Sequence, residues 1–116
     1  MLTKPHFDDL ETRSADQRAA DLAQALPQQI ARAQSLAGYG DTLKDVDAAQ
    51  ITSAEALADL PVLRKSELGK AQAGQPPFGG FTTKPVHDFS HVFQSPGPIY
   101  EPSSNDPDWW RMGRFL

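Results

Sequence analysis

Residues 74–85 are the part of the chain that most restricts its fold. Relative to alanine, proline costs about 3 kcal/mol and glycine about 1 kcal/mol inside a helix, and half of these positions are proline or glycine. The segment therefore predicts an ordered or semi-ordered linker instead of a helix. It divides the chain into a helical N-terminal subdomain at 1–73, a Pro/Gly-rich linker at 74–88 and a strand-containing piece at 89–116. The expected fold class is mostly α with a short β segment.

A capping box that begins at Ser14 marks the start of the first predicted helix, because Gln17 follows three residues later. Apolar residues then recur at spacings of three and four, which is typical of an amphipathic helix. Pro27 interrupts this pattern. The sequence therefore predicts either two helices, over 15–25 and 27–37, or one helix kinked at Pro27.

The next stretch predicts shorter elements. Gly38 and Gly40 are expected to end the first helical stretch, and 41–51 is expected to be a loop. A second capping pattern predicts a short helix over 53–60, and a single helical turn is expected over 67–70. The predicted buried stripe consists of Leu22, Leu26, Ile30, Leu57 and Leu60.

The C-terminal piece predicts one convincing strand over 89–94, a tight turn over 95–98 and an extended segment over 99–102. Asp106 and Pro107 are typical of the start of a final helix. A lone strand and a short helix leave many apolar residues without cover, so we expect the chain to lie within a larger domain or to associate with an identical chain. These apolar residues are Phe89, Val92, Phe93, Trp109, Trp110, Phe115 and Leu116.

Composition excludes several classes of protein. The formal charge of −4 argues against a nucleic-acid binder that uses a basic face. The absence of cysteine excludes a disulfide scaffold, a thiolate zinc site and a cysteine nucleophile. No apolar run approaches the roughly 18 residues of a membrane span, and the first residues do not resemble a signal peptide. We therefore expect a cytoplasmic, soluble protein without a membrane partner.

Several ordered landmarks resemble one family. The run at 60–68 is similar to a pattern of leucine, proline, two or three residues, lysine, two residues and leucine. Pro77-Phe78 follows, then the strand that leads into 95–102, and then Trp110. This order resembles the N-terminal portion of phenylacetate–CoA ligase-like enzymes, which are AMP-forming acyl/aryl-CoA synthetases of the adenylate-forming superfamily.

The resemblance implies a parent enzyme that uses ATP to activate a carboxylic acid to an acyl-adenylate and then forms a CoA thioester. ATP, Mg²⁺ and CoA are implied for the parent family, and residues 89–116 would begin its α/β adenylation core. None of these cofactors is expected to bind this piece, which should hold no catalytic residue and no metal and should be inactive alone.

The segment 95–102 stands where the family has a phosphate loop. Ser95 and Gly97 match the family's first serine and first glycine, which makes them the candidate cofactor-binding residues. Pro96 and Pro98 lack the backbone N–H groups that such loops use, and Glu101 replaces the family's lysine. Either ATP is held differently in this subfamily, or the loop has another role.

Three other groups each allow two interpretations. The two histidines near Asp88 could be metal ligands or solvent-facing side chains, and the basic pair before the 67–70 turn could meet a phosphate or water. Three aromatic side chains could line an aromatic-acid pocket or belong to the core. These groups are His87 with His91, Arg64 with Lys65, and Phe78 with Phe81 and Tyr100.

A second hypothesis is a non-enzymatic helical interaction or dimerisation module. The partner would be the remainder of an adenylation domain or an identical chain, and we expect this piece to form a homo-oligomer. The acidic first half, in which residues 1–60 hold twice as many acids as bases, suits a surface that docks on another protein.

Overall fold

The fold is mostly helical and has a two-stranded antiparallel sheet, which confirms the predicted fold class. The computed structural model describes residues 5–108, 110, 112, 113 and 115. The helices of this part are α1 (Ala15–Gln34), α2 (Ala37–Leu43), α3 (Ala54–Leu57) and α4 (Lys65–Gly74), and its strands are β1 (Val92–Ser95) and β2 (Ile99–Pro102). Short 3-10 helices lie at Asp9–Thr12, Ala48–Gln50 and Val86–Asp88.

Helix α1 begins at the predicted capping box. The N–H of Gln17 donates to Ser14 Oγ over 3.1 Å, and the N–H of Ser14 donates to Gln17 Oε1 over 2.9 Å. The helix continues through Pro27 to Gln34, so the single-helix alternative is the one that forms. Within the described residues, no helix combines the length and the hydropathy that a membrane span needs.

The prediction that Gly38 and Gly40 end the first helical stretch is wrong. Helix α1 ends earlier, and both glycines lie inside α2. A Cβ atom at Gly38 would lie 2.6 Å from the ring of Phe81, so this position is glycine because of close packing and not because of a helix end. Helix α2 also takes up the first three residues of the predicted 41–51 loop.

The later helices differ from the predictions in length. Helix α3 is only one turn, and Ser53 caps it by accepting the N–H of Ala56 over 3.2 Å. Helix α4 is much longer than the predicted turn over 67–70, since Glu67 accepts the N–H of Arg64 at its start and the helix continues to Gly74.

Only part of the predicted buried stripe is buried. Ile30 is buried and Leu26 and Leu60 are half-buried. Leu22 and Leu57 remain 42% and 37% exposed. The core instead joins residues from both halves of the chain: Ile30, Leu43, Ile51, Phe78 and Ile99.

The segment after α4 forms no α-helix, as predicted, and it is packed against its neighbours. The Phe78 side chain is 4% exposed, and its ring meets that of Phe89 edge-on at 5.6 Å between centroids. The carbonyl of Gly80 accepts the N–H of Gly38 over 3.0 Å. These contacts make the segment an ordered connection, in which the Pro76–Pro77 peptide is cis.

Two predictions about the C-terminal piece need correction. The strand predicted over 89–94 begins only at Val92, and it is not alone, since β1 pairs with β2 in an antiparallel hairpin. The final helix does not form over 105–108, which bend and turn, and Asp108 has a φ of 53°, incompatible with a right-handed helix. The rest of that predicted helix includes Trp109, Arg111, Arg114 and Leu116, which lie outside the described residues.

Candidate functional site

The turn between β1 and β2 carries both predicted cofactor-binding residues. Ser95 is the last residue of β1 and faces Ile99 across the hairpin, and its Oγ lies 3.5 Å from the carbonyl oxygen of Ile99. Gly97 has a φ of 112°, in the region that favours glycine, and a Cβ there would meet nothing within 4 Å. Because Pro96 and Pro98 have no N–H, only Gly97 can offer a backbone donor within the three-residue loop.

Helix α4 holds this hairpin through the side chain of Gln72. The N–H of Tyr100 donates to Gln72 Oε1 over 2.9 Å, and Gln72 Nε2 donates to the Tyr100 carbonyl over 2.8 Å. Gln72 is 7% exposed. Its side-chain amide bonds to both backbone groups of Tyr100, as the backbone of a neighbouring strand would. Gly69, one turn earlier in α4, leaves space for the buried side chain of Ile99.

A network of hydroxyl groups closes the base of the hairpin. Ser103 has no exposed surface. Its Oγ accepts the N–H of His91 over 3.0 Å and lies 3.0 Å from Ser90 Oγ. The N–H of Ser103 donates to the His91 carbonyl over 2.9 Å, which continues the strand pairing by one residue. The hairpin is therefore held at its base by Ser103 and near its turn by Gln72.

A cleft of about 590 Å³ lies beside the turn. Among the described residues, no charged side chain lines this cleft. Glu101 lies on β2 with an exposed side chain. With one loop N–H and no described charged side chain, the turn and the cleft offer few groups to a triphosphate. The lining residues are Gly69, Gln72, Ala73, Pro76, Pro77, Gly97, Pro98 and Tyr100.

The basic and metal-ligand candidates do not join this site. Arg64 and Lys65 are exposed at the start of α4 and do not line the cleft. His87 Nε2 lies 3.6 Å from a carboxylate oxygen of Asp88, and His91 Nδ1 lies 3.2 Å from Ser90 Oγ. In the described part of the chain, no three potential metal ligands cluster.

The three aromatic candidates, Phe78, Phe81 and Tyr100, all line one cavity of about 200 Å³. Phe78 is in the core, and Phe81 meets Tyr39 edge-on at 4.7 Å between ring centroids. These two rings stabilise the packing of the linker, as the core interpretation predicts. Tyr100 lines the cleft beside the turn and is half-exposed.

Sequence reasoning missed Gln72 and Ser103. Both residues position the turn, and neither belongs to a recognisable motif. The signal for Gln72 is its place four residues after Leu68, on the side of α4 that carries Gly69. A polar residue on such a face is typical of a side chain that bonds to buried backbone. No local pattern marks Ser103.

The fold is similar to part of a solved ligase. A crystal structure of 2-hydroxyisobutyryl-CoA ligase, in the postadenylation state in complex with 2-HIB-AMP, matches with a TM-score of 0.69 and 25% sequence identity. That neighbour is an acyl-CoA ligase. The match covers 78% of this chain and 20% of the ligase, so the chain spans about a fifth of the protein it resembles.

The comparison supports a place in the adenylate-forming superfamily. It does not favour the phenylacetate–CoA ligase branch over others. No family model matches the sequence, and no curated protein matches it either.

Proposed function

We propose that this chain is the N-terminal portion of an AMP-forming acyl- or aryl-CoA ligase, similar to phenylacetate–CoA ligases. The similarity to an acyl-CoA ligase over 78% of the chain carries the proposal. Residues 1–73 would be its helical subdomain, 74–88 the linker and 89–116 the start of the adenylation core. The whole ligase would act in the cytoplasm, where it would activate a carboxylic acid with ATP and transfer the acyl group to CoA.

The chain's own contribution in this proposal is structural. Hydrogen bonds from Gln72 and Ser103 hold the hairpin rigid. The cleft beside Gly97 brings no described charged side chain next to the turn. In this proposal Ser95 and Gly97 would not hold a triphosphate, since the loop offers one N–H and no described charged side chain lines the cleft. ATP, Mg²⁺ and CoA would be held by the rest of the ligase fold, and this chain would be inactive alone.

Pyrophosphate release tests the proposal. The chain is produced alone and together with the adenylation core encoded beside it, in frame or as a neighbouring gene. Each sample is assayed with ATP, Mg²⁺ and a panel of carboxylic acids. We expect no release by the chain alone, acid-dependent release by the complete protein, and a thioester after CoA is added. A locus without an adenylation core, or a complete protein without acid-dependent release, would overturn the proposal.

A substitution at Glu101 tests the role of the turn within that complete protein. Glu101→Lys restores the charge that a phosphate loop carries, and Glu55→Lys on α3 makes the same change at an exposed position elsewhere. Because the turn does not hold the triphosphate, we expect both variants to keep the KM for ATP within about twofold. A much lower KM for Glu101→Lys alone would show that the turn faces the phosphates.

Exposed apolar residues favour a second candidate function, a non-enzymatic interaction module. Val62 is 79% exposed, and Leu22 and Leu63 are half-exposed on the helical side of the molecule. If such side chains form one continuous patch, that patch would mark contact with another protein. The pyrophosphate assay separates the two functions, because an interaction module would bind its partner without acid-dependent release.

A further inference from the structure

The two edges of the hairpin differ in how their backbone groups are satisfied. On the outer side of β2, Gln72 bonds to both backbone groups of Tyr100. His91 and Ser103 form a hydrogen-bonded pair at the base of the hairpin. Because hydrogen-bonded and non-hydrogen-bonded pairs alternate along an antiparallel ladder, the backbone groups of Val92 and Gln94 point away from β2. No described residue bonds to these outward groups.

Strand β1 is short, which itself limits edge pairing, but it lacks the other features that protect an edge strand. Natural edges are blocked by charged side chains, proline or bulges. The sequence of β1 is Val-Phe-Gln-Ser, without charge or proline, and its first three residues are exposed. Val92 and Phe93 point to opposite faces of the sheet, so both faces of β1 present apolar surface. This pattern is typical of a strand in the interior of a covered sheet.

Aromatic rings extend this surface on one face. The ring of Phe93 stacks on His91 at 5.9 Å between centroids and meets the ring of Trp110 edge-on at 5.9 Å. Trp110 is 61% exposed. A partner strand along β1 would lie beside these rings and cover them, which adds hydrophobic burial to the backbone hydrogen bonds.

The accessible surface indicates how large the partner is. The chain exposes 8867 Å², whereas a folded 12.7 kDa monomer exposes about 6,200 Å². Its radius of gyration is 16.9 Å, against about 13 Å for a compact chain of this length. The difference of roughly 2,600 Å² is well above the ~800 Å² that one partner contributes to a standard interface. Pairing of two copies along the four-residue β1 would cover far less.

We propose that the outer edge of β1, with the Phe93 and Trp110 rings, pairs with a strand of the adenylation core that completes this fold. The inference rests on the proposed function. Four fifths of the matched ligase lie outside the part that this chain resembles, which supplies a partner large enough for the exposed surface. A second copy of this chain is the competing occupant.

The test blocks the edge without breaking the hairpin. Gln94→Pro removes the outward N–H, at a position where proline is tolerated because that N–H makes no bond to β2. Gln94→Thr keeps the N–H and suits a strand, so it is the matched control. Binding of the separately produced adenylation core is measured by calorimetry, and hydrogen exchange follows the amides of Val92 and Gln94. Urea midpoints verify that both variants fold.

We expect the core to protect the amides of Val92 and Gln94. Gln94→Pro should weaken binding about tenfold or more, and Gln94→Thr should bind as the wild type does. Equal binding by a folded Gln94→Pro variant would overturn the proposal. So would protection of both amides in the isolated chain with a doubling of mass in sedimentation equilibrium, since a second copy would then occupy the edge. Edge-dependent binding without acid-dependent pyrophosphate release would refute the proposed function and leave this interface standing.

Discussion

Replacing Gln72 tests how the hairpin is held to the helical part of the chain. Its buried amide bonds to both backbone groups of Tyr100. Gln72→Ala leaves both groups without their partner, and each unsatisfied buried group costs about 1–3 kcal/mol. Because the cleft of about 590 Å³ allows water to approach Tyr100, we expect the lower part of that range, about 2–3 kcal/mol in total.

This loss is large for a chain of this size. At about 0.05–0.15 kcal/mol per residue, 116 residues give a free energy of unfolding of about 6–17 kcal/mol. With a urea dependence of about 1–3 kcal/mol per molar, the midpoint of unfolding should fall by about 1 M or more. The amide of Tyr100 should also exchange faster with solvent, which locates the effect at the hairpin.

Two further variants make this prediction refutable. Gln72→Met keeps the size of the side chain and removes both hydrogen bonds, so it should lose nearly as much stability as Gln72→Ala. Gln24→Ala changes an exposed glutamine of α1 and should shift the free energy of unfolding by less than about 0.5 kcal/mol. If Gln72→Met unfolds at the wild-type midpoint and keeps the Tyr100 amide protected, the hydrogen bonds do not hold the hairpin.

The same urea assay checks two packing predictions. Gly38→Ala places a Cβ 2.6 Å from the Phe81 ring and should cost about 1–3 kcal/mol, whereas Gly40→Ala, with its nearest neighbour at 3.8 Å, should stabilise α2 by up to about 1 kcal/mol. Equal effects of the two would contradict the close approach of Phe81. Ile30→Ala should cost about 2–5 kcal/mol because Ile30 is buried, and Leu22→Ala far less because its side chain is half-exposed; the reverse order would refute the assignment of the core.

Local sequence rules predicted the capped beginnings of α1 and α3 well. The capping box at Ser14 needs only residues within one turn, and the structure has both of its hydrogen bonds. The turn at Gly97 likewise follows from three consecutive residues that do not suit a straight strand. Such features depend on short-range geometry, so the sequence determines them without knowledge of the partner elements.

Predictions that depend on distant residues were less successful. Glycine is common at helix ends, which is why Gly38 was expected there. Its role is decided by close packing against Phe81, more than forty residues later. The helical spacing of Leu22 suggests burial, yet its side chain remains 42% exposed. Periodicity predicts which face of a helix is apolar, and only the three-dimensional arrangement determines what contacts that face.

The turn that carries the candidate residues was predicted from the sequence, and their role in cofactor binding stays a prediction. Ser95 and Gly97 lie in the turn that the resemblance indicates, and the fold agrees with that of an acyl-CoA ligase. The residues that position this turn, Gln72 and Ser103, act through backbone groups 28 and 12 residues away. A contact with backbone leaves no mark on the sequence of its partner, so it could not be predicted from motifs.

The prolines that flank Gly97 explain why the turn suits support better than anion binding. Proline removes the N–H that a phosphate would need, and it also reduces the conformational freedom that the turn loses on folding. Proline at these two positions therefore weakens a phosphate loop and stiffens a hairpin. A stiff hairpin that is tied to α4 by Gln72 keeps β1 in place with its outer edge exposed. If the chain is part of a ligase as proposed, the two prolines would let the turn present β1 to the rest of that fold.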